Sequence, residues 1–280
     1  MSKHRIIIEP GTENSNYWKD LWNYRGLFYF LAWRDILVRY KQTVIGIVWS
    51  LLRPLITIVV FTVVFNKLGK FEAQEGVPYA IMVCAAMLPW QFFASAFGDS
   101  ANSLISNSNL LTKVYFPRLI VPASTVIVCL IDFFISFLIL IGMFFWFHFV
   151  PDWRILLMPL FLLLALITAM GTGLFIAALN VKYRDFRIII PFIIQIGLYV
   201  SPVGYSSNEI YSRDIPQILK YLYALNPMVG VIDGFRWCIM GGNTPLHIPE
   251  FIASIVISVL FLFIGVWYFR RMEKSFADVI

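Results

Sequence analysis

Between Val44 and Phe269 the chain carries apolar runs too long to hide inside a water-soluble domain. The hydrocarbon core of a bilayer is about 30 Å thick and a helix rises about 1.5 Å per residue, so about 20 mostly apolar residues cross it. Five stretches meet or approach that length: Val44–Asn66, Tyr79–Phe97, Ile120–Phe147, Leu156–Asn180 and Ile252–Phe269. A sixth, Ile188–Tyr205, is shorter and holds Pro191, Gly197 and Pro202, yet its run IIIPFIIQIGLYV has no charge. The fold class predicted is an all-α polytopic membrane protein with six transmembrane helices. Composition agrees, at 60% hydrophobic and 14% charged, where a soluble domain has about 45–50% apolar residues and about a quarter charged. Too little polar surface remains to clothe a domain in water, which excludes a disordered chain and a nucleic-acid-binding module.

Lys and Arg set the orientation. With the N-terminus inside, the cytoplasmic pieces 1–43, 98–119, 181–187 and 270–280 hold fifteen bases, and the opposite side holds six. That split obeys the positive-inside rule and places both termini in the cytoplasm. The net charge of +6 is therefore concentrated on one face, where it suits an anionic leaflet and not nucleic acid. Stretch 206–251 is outside and partly apolar, but Lys220, Asn226-Pro227, Asp233 and Arg236 oppose a seventh crossing. It reads as one or two short re-entrant helices that return around Asn226-Pro227. Irregular backbone at that depth needs cover from protein or a water-filled cavity, so the segment is expected to lid a pathway.

Before the first span, LAWRDILVRYKQTV places Trp33, Ile36, Leu37, Tyr40 and Val44 on one helical stripe, with Arg34, Asp35 and Arg39 off it and Lys41 near its flank. Such an amphipathic helix lies in the headgroup plane. Two readings stay open: a topological anchor, or a cationic surface (Trp33, Arg34, Arg39, Tyr40, Lys41) that attracts a phosphorylated lipid headgroup. Inside the membrane, Arg53 and Asp132 lie at similar depth. They pair, share a polar cavity, or Arg53 snorkels to the headgroups. Pro54, Pro89, Pro159 and Pro191 interrupt spans, and Gly171 and Gly173 suit close helix packing. The run FFWFHF reads as an interface belt. Tyr199, Tyr205, Tyr211, Tyr221 and Tyr223 gather near the outer lid with Arg236, where they either form part of that belt or stack on sugars.

No phosphate-binding G-x-x-x-x-G-K-[ST] loop occurs, so this chain does not bind ATP in that way by itself. There is no D-x-D or H-E-x-x-H, and the three His and three Cys are scattered, which fits neither a catalytic site, a metal site nor a disulfide framework. The first apolar run begins more than 40 residues in, so no secretory signal is expected.

The pieces WRDILVRYKQTVIGIVWSLLRPL (33–55), LPWQFFASAF (88–97), NSNLLTKVYFPRLIVPAS (107–124), ALNVKYRDFR (178–187), YVSPVGY (199–205) and LNPMVGVIDGFRWCIMGG (225–242) together resemble the ABC-2 type permeases that export O-antigen, capsule or teichoic-acid polysaccharide. The resemblance spans nearly everything beyond residue 30, dividing the chain into a cytoplasmic N-terminal tail (1–30) and an ABC-2 transmembrane domain (31–280). It implies a homodimer in the bacterial inner membrane served by two cytoplasmic nucleotide-binding subunits, which would hold ATP and Mg²⁺. It implies a cargo of undecaprenyl-diphosphate-linked polysaccharide, O-antigen first, and a transport subunit with no enzyme activity or cofactor of its own. It assigns Trp33 to Gln42 to an interface helix. Asn109, Lys113, Tyr115 and Arg118, with Lys182, Arg184, Asp185 and Arg187, fall in two segments that contact the ATPase. Tyr205 to Gly242 becomes the outer gate helices. The alternatives are an ABC-2 exporter of another lipid or drug, and a membrane-embedded glycosyltransferase or polymerase.

Overall fold

The computed structural model describes residues 17–40, 44–69, 76–183, 185–212, 216–241 and 246–276, with the side chains of 44–50 and of Arg53 outside the description. Lys41 and Arg184 lie outside the described residues, as does the side chain that would test pairing of Arg53 with Asp132. Among the described residues every regular element is helical. In order they are α1 (Tyr17–Asn23), α2 (Arg25–Tyr40), α3 (Val44–Phe61), α4 (Tyr79–Ser106), α5 (Ser108–Lys113), α6 (Ile120–Trp146), α7 (Met158–Lys182), α8 (Phe186–Val200), α9 (Ser207–Ser212), α10 (Gln217–Ala224), α11 (Pro227–Met240) and α12 (Ile248–Glu273). α3 runs on into a wider π-helical turn, Thr62–Leu68.

Among the described residues four helices are long and apolar enough to cross a bilayer: Tyr79–Ser106, Ile120–Trp146, Trp153–Lys182 (α7 with its leading 3₁₀ turn) and Ile248–Glu273. Pro54–Leu68 and Phe186–Val200 are shorter apolar segments. α4 is the hub, packing on α6, α7, α3, α8 and α11. Its apolar window is 72% buried, against 17% for α12, so α4 is the core helix and α12 has most of its surface on the outside of the bundle. Lipid tails are as apolar as Leu, so these helices associate through close packing and not through burial from water.

Small residues make that closeness possible. A Cβ on Gly171 would lie 2.4 Å from the Leu262 nitrogen of α12, and one on Gly173 would lie 2.8 Å from Ser100 Oγ of α4. Two residues apart on a helix is about 200°, so the two glycines open opposite sides of α7. α12 answers with Ser254, Ser258 and Gly265 on its buried face. A Cβ on Gly265 would meet the Gly171 carbonyl oxygen at 2.1 Å, and Thr168 Oγ1 lies 2.7 Å from Ser258 Oγ.

Four sequence expectations need correction. α4 does not end at Phe97 but continues through Gly98 to Ser106, carrying Asp99 within the helix. Pro159 does not interrupt a span: it sits in the first turn of α7, where a missing N–H costs nothing. Pro54, Pro89 and Pro191 do lie inside continuous helices. α8 ends at Val200, and 201–205 forms a turn. Among the described residues of 206–251, three helices precede α12 where one or two were expected, and α10 gives way to α11 at Asn226-Pro227. Asn226 caps α11 by accepting from the Met228 N–H at 3.0 Å, and its Nδ2 donates to Ser201 Oγ at 2.9 Å. α11 has 14 residues, about 21 Å of helix and too short to cross. It is covered by α12, α4 and α7.

Candidate functional site

The polar side chains gather at the two ends of α4. From Met82 to Asp99 is 17 residues, about 25 Å of helix, close to the thickness of the hydrocarbon core.

At the Asp99 end, α2 lies against α6. Its aromatic side points away from the bundle, with exposed Tyr29 and Trp33 rings stacked 6° from parallel. Its charged side points in. Arg34 donates to Asp35 at 2.7 Å and to Asn107 Oδ1, just past the end of α4, at 2.8 Å. One turn on, Arg39 donates through Nη1 to Asp132 on α6 at 2.6 Å and through Nη2 to Asp99 on α4 at 2.8 Å. The Tyr40 hydroxyl donates to the other oxygen of Asp132. Partial burial works against the Arg39 charge, but Asp99 and Asp132 outweigh it and hold its pKa above the usual range. The partners of the intramembrane Asp132 are thus Arg39 and Tyr40, both among the expected headgroup residues. Asp99 was not singled out by the sequence, because the expected span ended at Phe97 and left it in the following cytoplasmic piece.

The same end gathers both described ends of the chain and the two loop segments. Asn109, Lys113 and Tyr115 are exposed, while Leu111 and Phe116 on either side are buried. Arg118 closes the segment: its backbone N–H donates to Glu273 Oε1 and its Nη1 to the Glu273 carbonyl, both at 2.7 Å. Tyr17 of α1 donates to the same carboxylate at 3.3 Å, and Arg270 lies 4.5 Å over the Tyr17 ring. Burial first, then Glu273, raises the Tyr17 phenol above its ordinary range. Lys182, Asp185 and Arg187 stand exposed around the α7–α8 turn. Asn180 ties that turn to α4, donating to the Ala101 carbonyl at 3.0 Å. Glu273 and Tyr17 carried no motif to single them out.

At the Met82 end, Arg236 is 2% exposed and spends its donors on backbone. It donates to the Tyr205 carbonyl at 2.7 Å, the Val203 carbonyl at 3.1 Å and the Met82 carbonyl at 3.4 Å, pinning the turn after α8 to α4 and α11. The Tyr79 hydroxyl donates to the Gly204 carbonyl of that turn. Of the five expected tyrosines, Tyr205, Tyr211 and Tyr223 come together near Arg236. Tyr205 donates to the Val200 carbonyl, Tyr223 shares a 3.0 Å hydrogen bond with Ser207, and Tyr211 packs on Tyr223 and on His247. Tyr199 and Tyr221 stand exposed apart from that knot. Among the described residues no group of His, Cys, Asp and Glu has the arrangement of a metal site.

The described residues thus form an all-helical bundle of apolar helices with exposed loop segments at one end. Residues 26–240 match the ABC-2 type transporter family, and the chain belongs to it. It is therefore a permease and not itself an enzyme; permeases of this family work with a separate ABC ATPase subunit. Over 94% of its length the chain is 27% identical to the O-antigen export system permease protein RfbA of Myxococcus xanthus, covering 98% of that protein. Two permeases of the same name from Klebsiella pneumoniae are 26% and 27% identical over 88% of this chain and 92% of theirs.

Proposed function

We propose that this chain is the membrane subunit of an ATP-driven exporter that moves undecaprenyl-diphosphate-linked polysaccharide, with O-antigen as the cargo, across the bacterial inner membrane. The observation that carries this reading is the end-to-end similarity to permeases named for O-antigen export. A partial match would leave the cargo open; a match over nearly both full lengths covers the cytoplasmic loops and the outer helices as well as the spans.

In this reading two copies form the pathway, each with six spans: α3 with its π-turn, α4, α6, α7, α8 and α12. Both termini face the cytoplasm. Two ATPase subunits carry ATP and Mg²⁺ and press on the exposed segments around Lys113–Tyr115 and Lys182–Arg187. The interface helix α2 receives the lipid diphosphate through Arg39, Tyr40 and neighbouring cations. Helices α9 to α11 form the outer gate, and exposed Tyr199 and Tyr221 offer faces on which sugar rings stack as the polymer leaves. Arg236 holds the gate together and does not touch the sugar.

The test is deletion of the gene in its own host, with complementation. The expected result is loss of surface polysaccharide with lipid-linked polymer accumulating on the cytoplasmic side, restored by the intact gene. Unchanged surface polysaccharide would overturn the reading.

A further inference from the structure

In the reading above, Arg39 and Tyr40 meet the diphosphate of the lipid carrier. In the structure both are already held by anions of the protein itself. Arg39 gives one nitrogen to Asp132 and the other to Asp99, and Tyr40 gives its hydroxyl to the second oxygen of Asp132. A guanidinium fork spread over two oxyanions, with a hydroxyl beside it, is also the donor pattern that a diphosphate takes. The two carboxylates come from different helices, α4 and α6. The bonds that occupy the donors are therefore the bonds that dock α2 on the bundle.

The cluster is not sealed. The Arg39, Asp99 and Asp132 side chains are 37%, 38% and 29% exposed, so a headgroup arriving along α2 can reach them. Among the described residues one cation, Arg39, serves both carboxylates. Once Arg39 and Tyr40 leave them, their donors are free to bind another anion.

We propose that Asp99 and Asp132 are internal stand-ins for the cargo's diphosphate, forming a latch that the headgroup releases by taking Arg39 and Tyr40 from them. This rests on the reading that α2 receives a lipid diphosphate. A ligand shifts a two-state equilibrium only by its differential affinity for the two states. Here the difference is built in, because the docked donors are occupied and the released ones are not. Partly exposed ion pairs of this kind are modest in strength, enough to keep the latch closed at rest yet open to competition from cargo.

The test uses the full-length permease with its partner ATPase in lipid nanodiscs, with undecaprenyl diphosphate and inorganic pyrophosphate as separate ligands. D99N/D132N keeps side-chain shape and an acceptor oxygen on each residue while removing the competing charge. It should bind undecaprenyl diphosphate about tenfold tighter than wild type, and R39Q about tenfold weaker. If pyrophosphate tightens in parallel, the headgroup alone works the latch; if only the lipid tightens, the latch needs the chain as well. Wild-type binding with no gain in D99N/D132N overturns the latch and leaves the export reading standing. Wild type that binds no undecaprenyl diphosphate overturns the carrier assignment and the latch with it. A second measurement does not depend on the charge variants: spin labels at V38C on α2 and F134C on α6, both exposed positions, should move apart when undecaprenyl diphosphate is added. An unchanged distance overturns the latch.

Discussion

Arg236 donates to carbonyls of two separate elements, the turn after α8 and helix α4, from a side chain sealed inside the bundle. Replacing Arg236 by Met strands those carbonyls, and each buried acceptor left without its donor costs about 1–3 kcal/mol. R236M should therefore show a markedly lower Tm in detergent, with R236K falling between it and wild type because Lys keeps the charge but not the planar fork. An R236M Tm equal to wild type would remove Arg236 as the pin. At this scale the sequence was legible in part. Asp132 announced itself as an ion that needs a partner within the membrane. That Arg39 serves it was not legible, because Arg39 is 93 residues away in sequence and only the docking of α2 on α6 brings the two together. Asp99 was hidden by Gly98, since a glycine at the end of an apolar run reads the same whether the helix stops or continues.

The glycines of α7 work as a pair of clearances, one for each neighbouring helix. A Leu at Gly171 or Gly265 must displace backbone of the facing helix, and overpacking of this kind costs about 1–3 kcal/mol or more. Gly142 on α6 is the internal control, because nothing lies within 4 Å of where its Cβ would be. G171L and G265L should lower the yield of folded, detergent-stable protein, while G142A should match or slightly exceed wild type, as expected for Ala over Gly in a helix. Equal behaviour of all three would contradict the packing account. The segment Asn109–Lys113 is an element with a different duty: it is exposed, yet anchored by Leu111 and Phe116. Deleting it should leave the partner's ATP hydrolysis running while export stops; unchanged export would exclude it as a lever. Helix existence was legible here because 3.6-residue periodicity and apolar length are local properties. The division of 206–251 into α9, α10 and α11 was not, because those short helices are shaped by what covers them. α11 is held among α4, α7 and α12 and capped by Asn226, and only the cap and Pro227 left a local signal.

Across the whole molecule, the first and last described helices meet at one end. Tyr17 and Glu273 share a hydrogen bond there, beside Arg118 and the exposed loops. The basic face inferred from the sequence and the Arg39–Asp99–Asp132 cluster belong to that end, and Arg236 with its tyrosines belongs to the other. The three cysteines are all buried, so single introduced cysteines report topology cleanly. T112C and Y183C should label only from the cytoplasmic side, and L222C only from outside. Labelling of T112C and L222C from the same side would refute the six-span arrangement.

The central claim is that this permease, driven by its ATPase, carries a lipid-linked polymer across the membrane. Its most direct test is transport in proteoliposomes containing the permease, its partner ATPase and undecaprenyl-diphosphate-linked O-polysaccharide, with a glycan-cleaving enzyme added on the receiving side. The polymer should become cleavable on that side only with hydrolysable ATP, and R39Q should slow the process. Polymer that stays protected in the presence of ATP, or that crosses equally well without it, would rule out ATP-driven export by this permease.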